Sequence, residues 1–472
     1  SSDLEREVND MADRWNLVVI GAGPGGYEAA VEGARKGMRV ALVENRELGG
    51  TCLNRGCIPT KTILHTAELY HELQSGPSIG LRADQAAVDM AMVQQRKQEV
   101  INQLRAGIAA LMKTNKIAVY SGTGTIVDRC HVSVRSESGE PVLLETDHIL
   151  IATGSVPACP PIPGADLPGV VTSDGLLDKQ DMFGHLIIIG GGVIGMEFAS
   201  IYSSLGHPVT VIEALDRILP GMDKEIAQNL KMILKKRGTD IHTGARVEEI
   251  LRAGDGRGLA CRFVEKDKAW EVTADGILIA TGRRAYTGGL ISEESSQDIK
   301  DMAMERGRIV TDGNHETSVP GIYAIGDVAG GIQLAHAATA QGRSAVAHMA
   351  GEEAGIRLDI VPSCVYTSPE IGCVGITVDE AKEKGISVIT RKYLMSANGK
   401  SLLSQQERGF IKVVADSKSH CILGAQMMCA RATDMISQFA VAIVNELTLE
   451  DMAKAIFPHP TFSEGISEAV RQ

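Results

Sequence analysis

The sequence predicts an α/β protein with two Rossmann-like dinucleotide-binding domains and further chain beyond them. Three observations lead there. A glycine fingerprint lies between strand-like and helix-like runs twice, and an "IATG" segment follows each copy. The chain has 472 residues, well beyond the ~250–300 at which a single hydrophobic core stops growing.

The first copy, "WNLVVIGAGPGGYEAA", passes from the apolar run Leu17–Ile20 through Gly21, Gly23 and Gly26 into helix formers. A second strand-like run, "RVALVE", ends at Glu44. The second copy, "HLIIIGGGVIGMEFAS", carries Gly190, Gly192 and Gly195, and "PVTVIE" ends at Glu213. In such a unit the first glycine makes the turn, the second admits a pyrophosphate, and the third lets helix and strand pack closely. The helix N-terminus offers free N–H groups to the phosphates, and the acid accepts a ribose hydroxyl. One glycine triplet is weak evidence; the same acid spacing twice is strong. Two dinucleotides are therefore expected, FAD and NAD.

"HILIATGSVP" (148–157) and "GILIATGRRA" (276–285) echo one another and point to a duplication. They add Thr153, Gly154 and Gly282 to the expected cofactor contacts. The first module is the longer, and its extra chain lies after Glu44. That insertion contains a helix-like region, 84–113, and the stretch "GGTCLNRGCIPTK" with Cys52 and Cys57.

Residues five apart in an ideal helix sit about 140° around the axis, too far round for a disulfide. A bridge between Cys52 and Cys57 requires a distorted turn, and Gly56 supplies the freedom for one. Pro59 suits the first turn of a helix starting near Cys57, where a thiolate is stabilised and a lowered pKa is expected. A metal site lacks further ligands at suitable spacing, and none is expected. An inert structural pair leaves the glycines and Lys61 unexplained, whereas a redox-active disulfide accounts for them. The other seven cysteines, Cys130, Cys159, Cys261, Cys364, Cys373, Cys421 and Cys429, read as small buried hydrophobes.

The net charge of −12 argues against nucleic acid or an anionic membrane surface as a partner. No apolar run approaches the ~18 residues of a membrane span, and the cysteine usage suggests a reducing, cytoplasmic compartment. Residues 1–14 are acidic and polar and read as a disordered lead-in or linker. Near the other end, "HPTFSE" places Glu464 five positions after His459. A carboxylate there can hold one ring nitrogen while the other moves protons.

Taken together, "GGTCLNRGCIPTK", "TSVPGIYAIGDVAG" (317–330) and "HPTFSE" resemble the motifs of the pyridine nucleotide–disulfide oxidoreductase family, and within it the branch that oxidises dihydrolipoamide. The likeness runs from about residue 15 to the C-terminus. It implies that the first fingerprint and Glu44 hold the adenosine half of FAD, with Asp327 on its ribityl or pyrophosphate region. Cys57 becomes the flavin-proximal thiol and Cys52 the interchange thiol, with Lys61 near the flavin and Glu197 approaching it beside the nicotinamide. His459, oriented by Glu464, becomes the acid–base that reaches the thiols of the other subunit of a homodimer. The implied partner is dihydrolipoamide or the lipoyl domain of a 2-oxo acid dehydrogenase complex or of the glycine cleavage H protein. The implied domains are FAD-binding over 15–154, NAD-binding over 155–282, a return segment over 283–350 and an interface domain over 351–472. That last region reads as alternating strands and two helices, and the resemblance makes it a C-terminal α+β domain for dimerisation.

Glu213 favours NAD over NADP, because it accepts a 2′-hydroxyl and repels a 2′-phosphate. Some positions depart from the common pattern of the lipoamide-oxidising branch: Arg55 between the thiols, Ala285 and Tyr286, Ala337 and Gln341, and Cys429-Ala430. Two other readings are weighed beside lipoamide oxidation. One is an NAD(P)H-dependent reductase of another small disulfide; the other is a low-turnover flavoprotein retained for docking. The complete set of Cys52, Cys57, His459 and Glu464 counts against the second.

Overall fold

The computed structural model describes residues 14–83, 85–136, 139–254, 256 and 258–472. The expected lead-in therefore lies, but for Arg14, outside the described residues. Contacts divide the chain into two compact units. The first comprises residues up to Thr62, Gln94–Ala158 and Arg283–Leu358; the second comprises Ile63–Val93, Cys159–Gly282 and Asp359–Gln472.

In the first unit, four parallel strands stand in the order Ala118–Ser121, Val40–Glu44, Trp15–Ile20 and Val142–Ile151, with Ile322–Ala324 parallel on the far side. His131–Arg135 and Thr123–Asp128 extend this sheet antiparallel. Buried on both faces, the central strands read as continuous apolar runs rather than alternating ones. Leu17, Val18 and Val19 are completely buried. The helix Pro24–Arg35 follows the first glycine loop. The helix Ala335–Met349 packs on it so closely that a Cβ at Gly342 would come within 2.8 Å of the Gly25 carbonyl.

The second unit repeats the strand order. Asp240–Thr243, Val209–Glu213, Leu186–Ile189, Gly276–Ile279 and Val170–Thr172 form an all-parallel sheet, and Val193–Ser204 is the helix after its glycine loop. The same unit holds a five-stranded antiparallel sheet from Ser363–Val365 to Ile422–Met428. The two sheets share one apolar cluster, in which Ile188 and Leu278 belong with Ile371, Phe410 and Met428.

Three expectations need correction. The C-terminal region contains five described helices, not two, because Val378–Glu383, Gly399–Leu403 and Leu449–Ala453 are too short to show a helical period. Their signals are caps instead: Thr377 and Thr448 each form a reciprocal capping box. The helix expected over 84–113 occupies Met90–Thr114. Of the seven scattered cysteines only Cys261 and Cys429 are buried, Cys159 is exposed and the rest are intermediate. Apolar neighbours in sequence alternate faces on a strand, so they are a poor guide to where a single thiol points.

Candidate active site

The two glycine loops are built alike. Gly21 has φ +106° and Gly190 has φ +112°, and a Cβ on either would lie 2.4 Å from a carbonyl oxygen of the neighbouring strand, Ala152 or Ala280. A Cβ at Gly26 or Gly195 would strike the carbonyl of the first glycine at 1.8 or 2.1 Å. The middle glycines differ: Gly192 has nothing within 4 Å of that position, and Gly23 only the Gly50 Cα at 4.0 Å. Both cap the following helix. The protein itself sets no demand for glycine at Gly192, so the open space above a helix N-terminus is a cradle that fits a pyrophosphate.

Glu44 and Glu213 each brace their own loop. Glu44 accepts the N–H of Ala22 at 2.7 Å and of Arg46 at 2.8 Å. Glu213 accepts Gly191 N–H at 2.5 Å and Leu215 N–H at 2.7 Å. An ionised carboxylate has about four acceptor positions, so two remain for a ribose.

The thiol segment docks on the first loop. Gly49 N–H donates to the Ala22 carbonyl at 2.8 Å, and Gly50, at φ +59°, lies so close to Gly23 that a Cβ would be 2.5 Å from its Cα. Helix Gly50–Arg55 carries Cys52 and ends at Gly56, where the chain turns and helix Cys57–Ser75 begins. A side chain at Gly56 would meet the Thr51 carbonyl at 3.0 Å. This is the distorted turn the pair requires, and Cys57 stands at the start of the second helix.

The two cysteines are separate thiols, hydrogen-bonded to one another. That bond, reinforced by burial, pushes the Cys52 thiol far above its ordinary value, with the nearby Lys61 ammonium opposing. Arg55 pairs with Glu47 at 2.5 Å.

Glu197, only 3 % exposed, accepts the Tyr366 backbone N–H at 3.1 Å. His459 is 77 % exposed, and its Nδ1 faces Glu464 Oε1 at 2.8 Å. The other oxygen, Oε2, accepts Thr461 N–H at 2.8 Å. The Thr461 amide and then His459 hold the Glu464 carboxyl below its usual range, so it stays ionised.

Asp327 sits in a short 3₁₀ turn, Gly326–Val328, and its Oδ2 accepts the Ser155 hydroxyl at 2.5 Å. Gln341 Oε1 accepts Gly326 N–H at 2.8 Å, a service an amide oxygen performs as well as a carboxylate. Thr153 donates its hydroxyl to the Tyr286 carbonyl at 2.6 Å, and Tyr286 N–H donates to the Gly154 carbonyl at 2.9 Å. Gly154 and Gly282 have φ of +70° and +110°. Among the departures, Ala337 and Cys429 are packed in the interior, and burial pushes the Cys429 thiol up to about 12. Sequence reasoning passed over Ser155 and Arg283, which follow the two "IATG-like" echoes directly; the echo itself was the available signal.

Comparison with known proteins agrees with this geometry. The model of the pyridine nucleotide-disulphide oxidoreductase family matches residues 15–342, and that of the family's dimerisation domain matches 361–470, which supports a homodimer. A dihydrolipoyl dehydrogenase of Bacillus subtilis is 40 % identical over 470 aligned residues, covering 97 % of this chain and 98 % of its own. One from Haloferax volcanii is 37 % identical, covering 98 % and 97 %. Among solved structures, LpdA from Mycobacterium tuberculosis superposes with a TM-score of 0.88 at 28 % identity, covering 97 % of this chain and 99 % of its own. The HOCl-induced flavoprotein disulfide reductase RclA from Escherichia coli gives 0.84 at 32 %, with the same coverage. No described helix is long and apolar enough to cross a membrane. With two dinucleotide cradles, a thiol pair seated on the first of them and both family models matched, the chain belongs to the pyridine nucleotide-disulphide oxidoreductases, and its cofactors are FAD and a nicotinamide dinucleotide.

Proposed function

We propose that this protein oxidises dihydrolipoamide, free or carried on the lipoyl domain of a multienzyme complex, with NAD⁺ as acceptor. The observation that carries the reading is the hydrogen-bonded Cys52–Cys57 pair at a helix start, seated on a dinucleotide cradle. The 40 % identity to a dihydrolipoyl dehydrogenase supports the choice of substrate.

In this reading the pair begins the cycle as a disulfide. His459 of one subunit takes the proton of a substrate thiol, and Glu464 holds the imidazole with Nε2 toward the reaction. The thiolate attacks the Cys52 sulfur, the bond to Cys57 breaks, and Cys57 leaves as a thiolate favoured by its helix N-terminus. The second substrate thiol, losing its proton, then attacks the substrate sulfur of the mixed disulfide; Cys52 leaves, takes the proton held by His459, and lipoamide is released. Lys61 supplies positive charge beside the pair. FAD bound beside the pair would supply the two-electron redox chemistry that links the thiols to NAD⁺. The first loop, Glu44 and Asp327 would hold FAD; the second loop and Glu213 would hold NAD⁺, with Glu213 disfavouring a 2′-phosphate. Glu197 is assigned beside the nicotinamide.

A second reading, reduction of another small disulfide by NAD(P)H, draws on the likeness to RclA. Paired steady-state assays separate the two: dihydrolipoamide with NAD⁺, and glutathione disulfide with NADPH. Turnover confined to the first supports the proposal. Turnover confined to the second overturns substrate and acceptor together. Silence in both, with FAD bound, favours a docking role.

A further inference from the structure

Ser155 and Arg283 occupy equivalent places in the duplicated halves, each directly after its Thr-Gly pair. The structure brings them together. Strand Ser155–Pro157, leaving the first module, pairs antiparallel with strand Arg283–Ala285, returning from the second. Arg283 Nε donates to the Ser155 hydroxyl at 2.8 Å, and its Nη2 donates to the Ser155 carbonyl, also at 2.8 Å. The Ser155 hydroxyl, in a residue only 6 % exposed, in turn reaches Asp327 Oδ2.

The polarity of this chain is forced. A guanidinium only donates, an ionised carboxylate only accepts, and a hydroxyl has one proton and two lone pairs. Ser155 must accept from Arg283 and give its single proton to Asp327. One acceptor position of Oδ2 is thereby taken, the bond restrains rotation of the carboxylate, and Oδ1 is the oxygen it does not use. The backbone of the same turn is held independently by Gln341.

We propose that Ser155 and Arg283 are positioning residues for Asp327, presenting its second oxygen to a hydroxyl of the bound flavin cofactor. The inference rests on the assignment of Asp327 to FAD. It joins the crossover strands of the two halves to a single carboxylate, 172 positions along the chain from Ser155.

The test follows FAD release from the holoenzyme by recovery of free-flavin fluorescence on dilution, together with the visible flavin spectrum. The variants are Ser155→Ala, Ser155→Thr, Arg283→Met, Ser155→Ala combined with Arg283→Met, and Asp327→Ala as the control. Loss of a hydrogen bond to a charged group should weaken retention about tenfold in Ser155→Ala. Ser155→Thr should restore retention, and the double variant should lose less than the product of the two single losses. Release from Ser155→Ala equal to wild type, or fully multiplicative losses, would overturn the inference. If Asp327→Ala releases FAD while Ser155→Ala does not, the inference fails and the Asp327 assignment stands. If Asp327→Ala retains FAD as wild type does, the assignment itself fails, and the inference with it.

Discussion

His459 Nδ1 and Glu464 Oε1 lie 2.8 Å apart, although the imidazole is 77 % exposed. The carboxylate is the only element of this pairing that fixes which ring nitrogen faces outward. Glu464→Gln should therefore keep the fold and the helix Glu464–Arg471 while lowering kcat/KM for dihydrolipoamide oxidation about 10- to 100-fold. NADH oxidation by ferricyanide, which bypasses the thiols, should be unchanged. A parallel loss in both assays would contradict the role.

The third glycines offer separate tests of the two proposed cofactor sites. Gly26→Ala would press a methyl group against the Gly21 carbonyl and should yield protein without bound flavin. Gly195→Ala makes the corresponding collision with Gly190 and should leave flavin content intact while raising KM for NAD⁺ about 100-fold. Absorbance at the flavin band and a nucleotide titration read the two outcomes separately.

Burial, with Glu370 and Glu72 close by, pushes the Glu68 carboxyl up to about 7, against a smaller opposing effect of Arg431. A raised folded value means that the folded state binds this proton more tightly than the unfolded chain does. Stability from this group is complete below the unfolded value near 4.5 and is lost as pH rises through about 7. Glu68→Gln should raise the melting temperature at pH 8 and leave it unchanged at pH 4. The ceiling is about 3 kcal/mol, less whatever solvent screens. An equal gain at both values would rule out titration of Glu68 as the cause.

Lys412 is 8 % exposed and reaches both oxygens of Asp223 at 3.0 Å and Glu225 at 2.9 Å. Lys412→Met leaves the buried Asp223 carboxylate without its cation, while Glu225 keeps Lys392, and should cost about 3–5 kcal/mol in denaturant unfolding of FAD-saturated protein. Asp223→Asn should cost less, because Glu225 still faces the ammonium and asparagine still caps the helix Lys224–Lys236. The reverse order would contradict the idea that Glu225 alone can hold the ammonium.

The sequence made most of the architecture readable wherever the cause is local. Gly26 answers to the Gly21 carbonyl within the same strand–turn–helix unit, so that part of the motif and its reason sit close together, whereas Gly21 answers to the carbonyl of Ala152, far along the chain. Glu464 is legible for the same cause, five positions from its histidine. The Ser155–Asp327 bond was not legible, since neither residue type nor spacing marks two partners so far apart; only the fold creates the contact. The docking of Gly50 on Gly23 was hidden similarly, since nothing in the "GG" before the thiols names the backbone it approaches. The short capped helices of the C-terminal region fell below the length at which periodicity speaks, and the exposed Cys159 shows how little one residue's neighbours reveal.

Glu213 has a second occupation that bears on redesign. Its two oxygens already terminate the N–H groups of Gly191 and Leu215. An arginine or lysine installed there to welcome a phosphorylated ribose would bring cationic donors to a place that needs acceptors, and both amides would be left stranded. Conversion to the other nicotinamide coenzyme thus cannot be a one-residue exchange in this chain: it demands a replacement acceptor for the loop before any new charge can be useful.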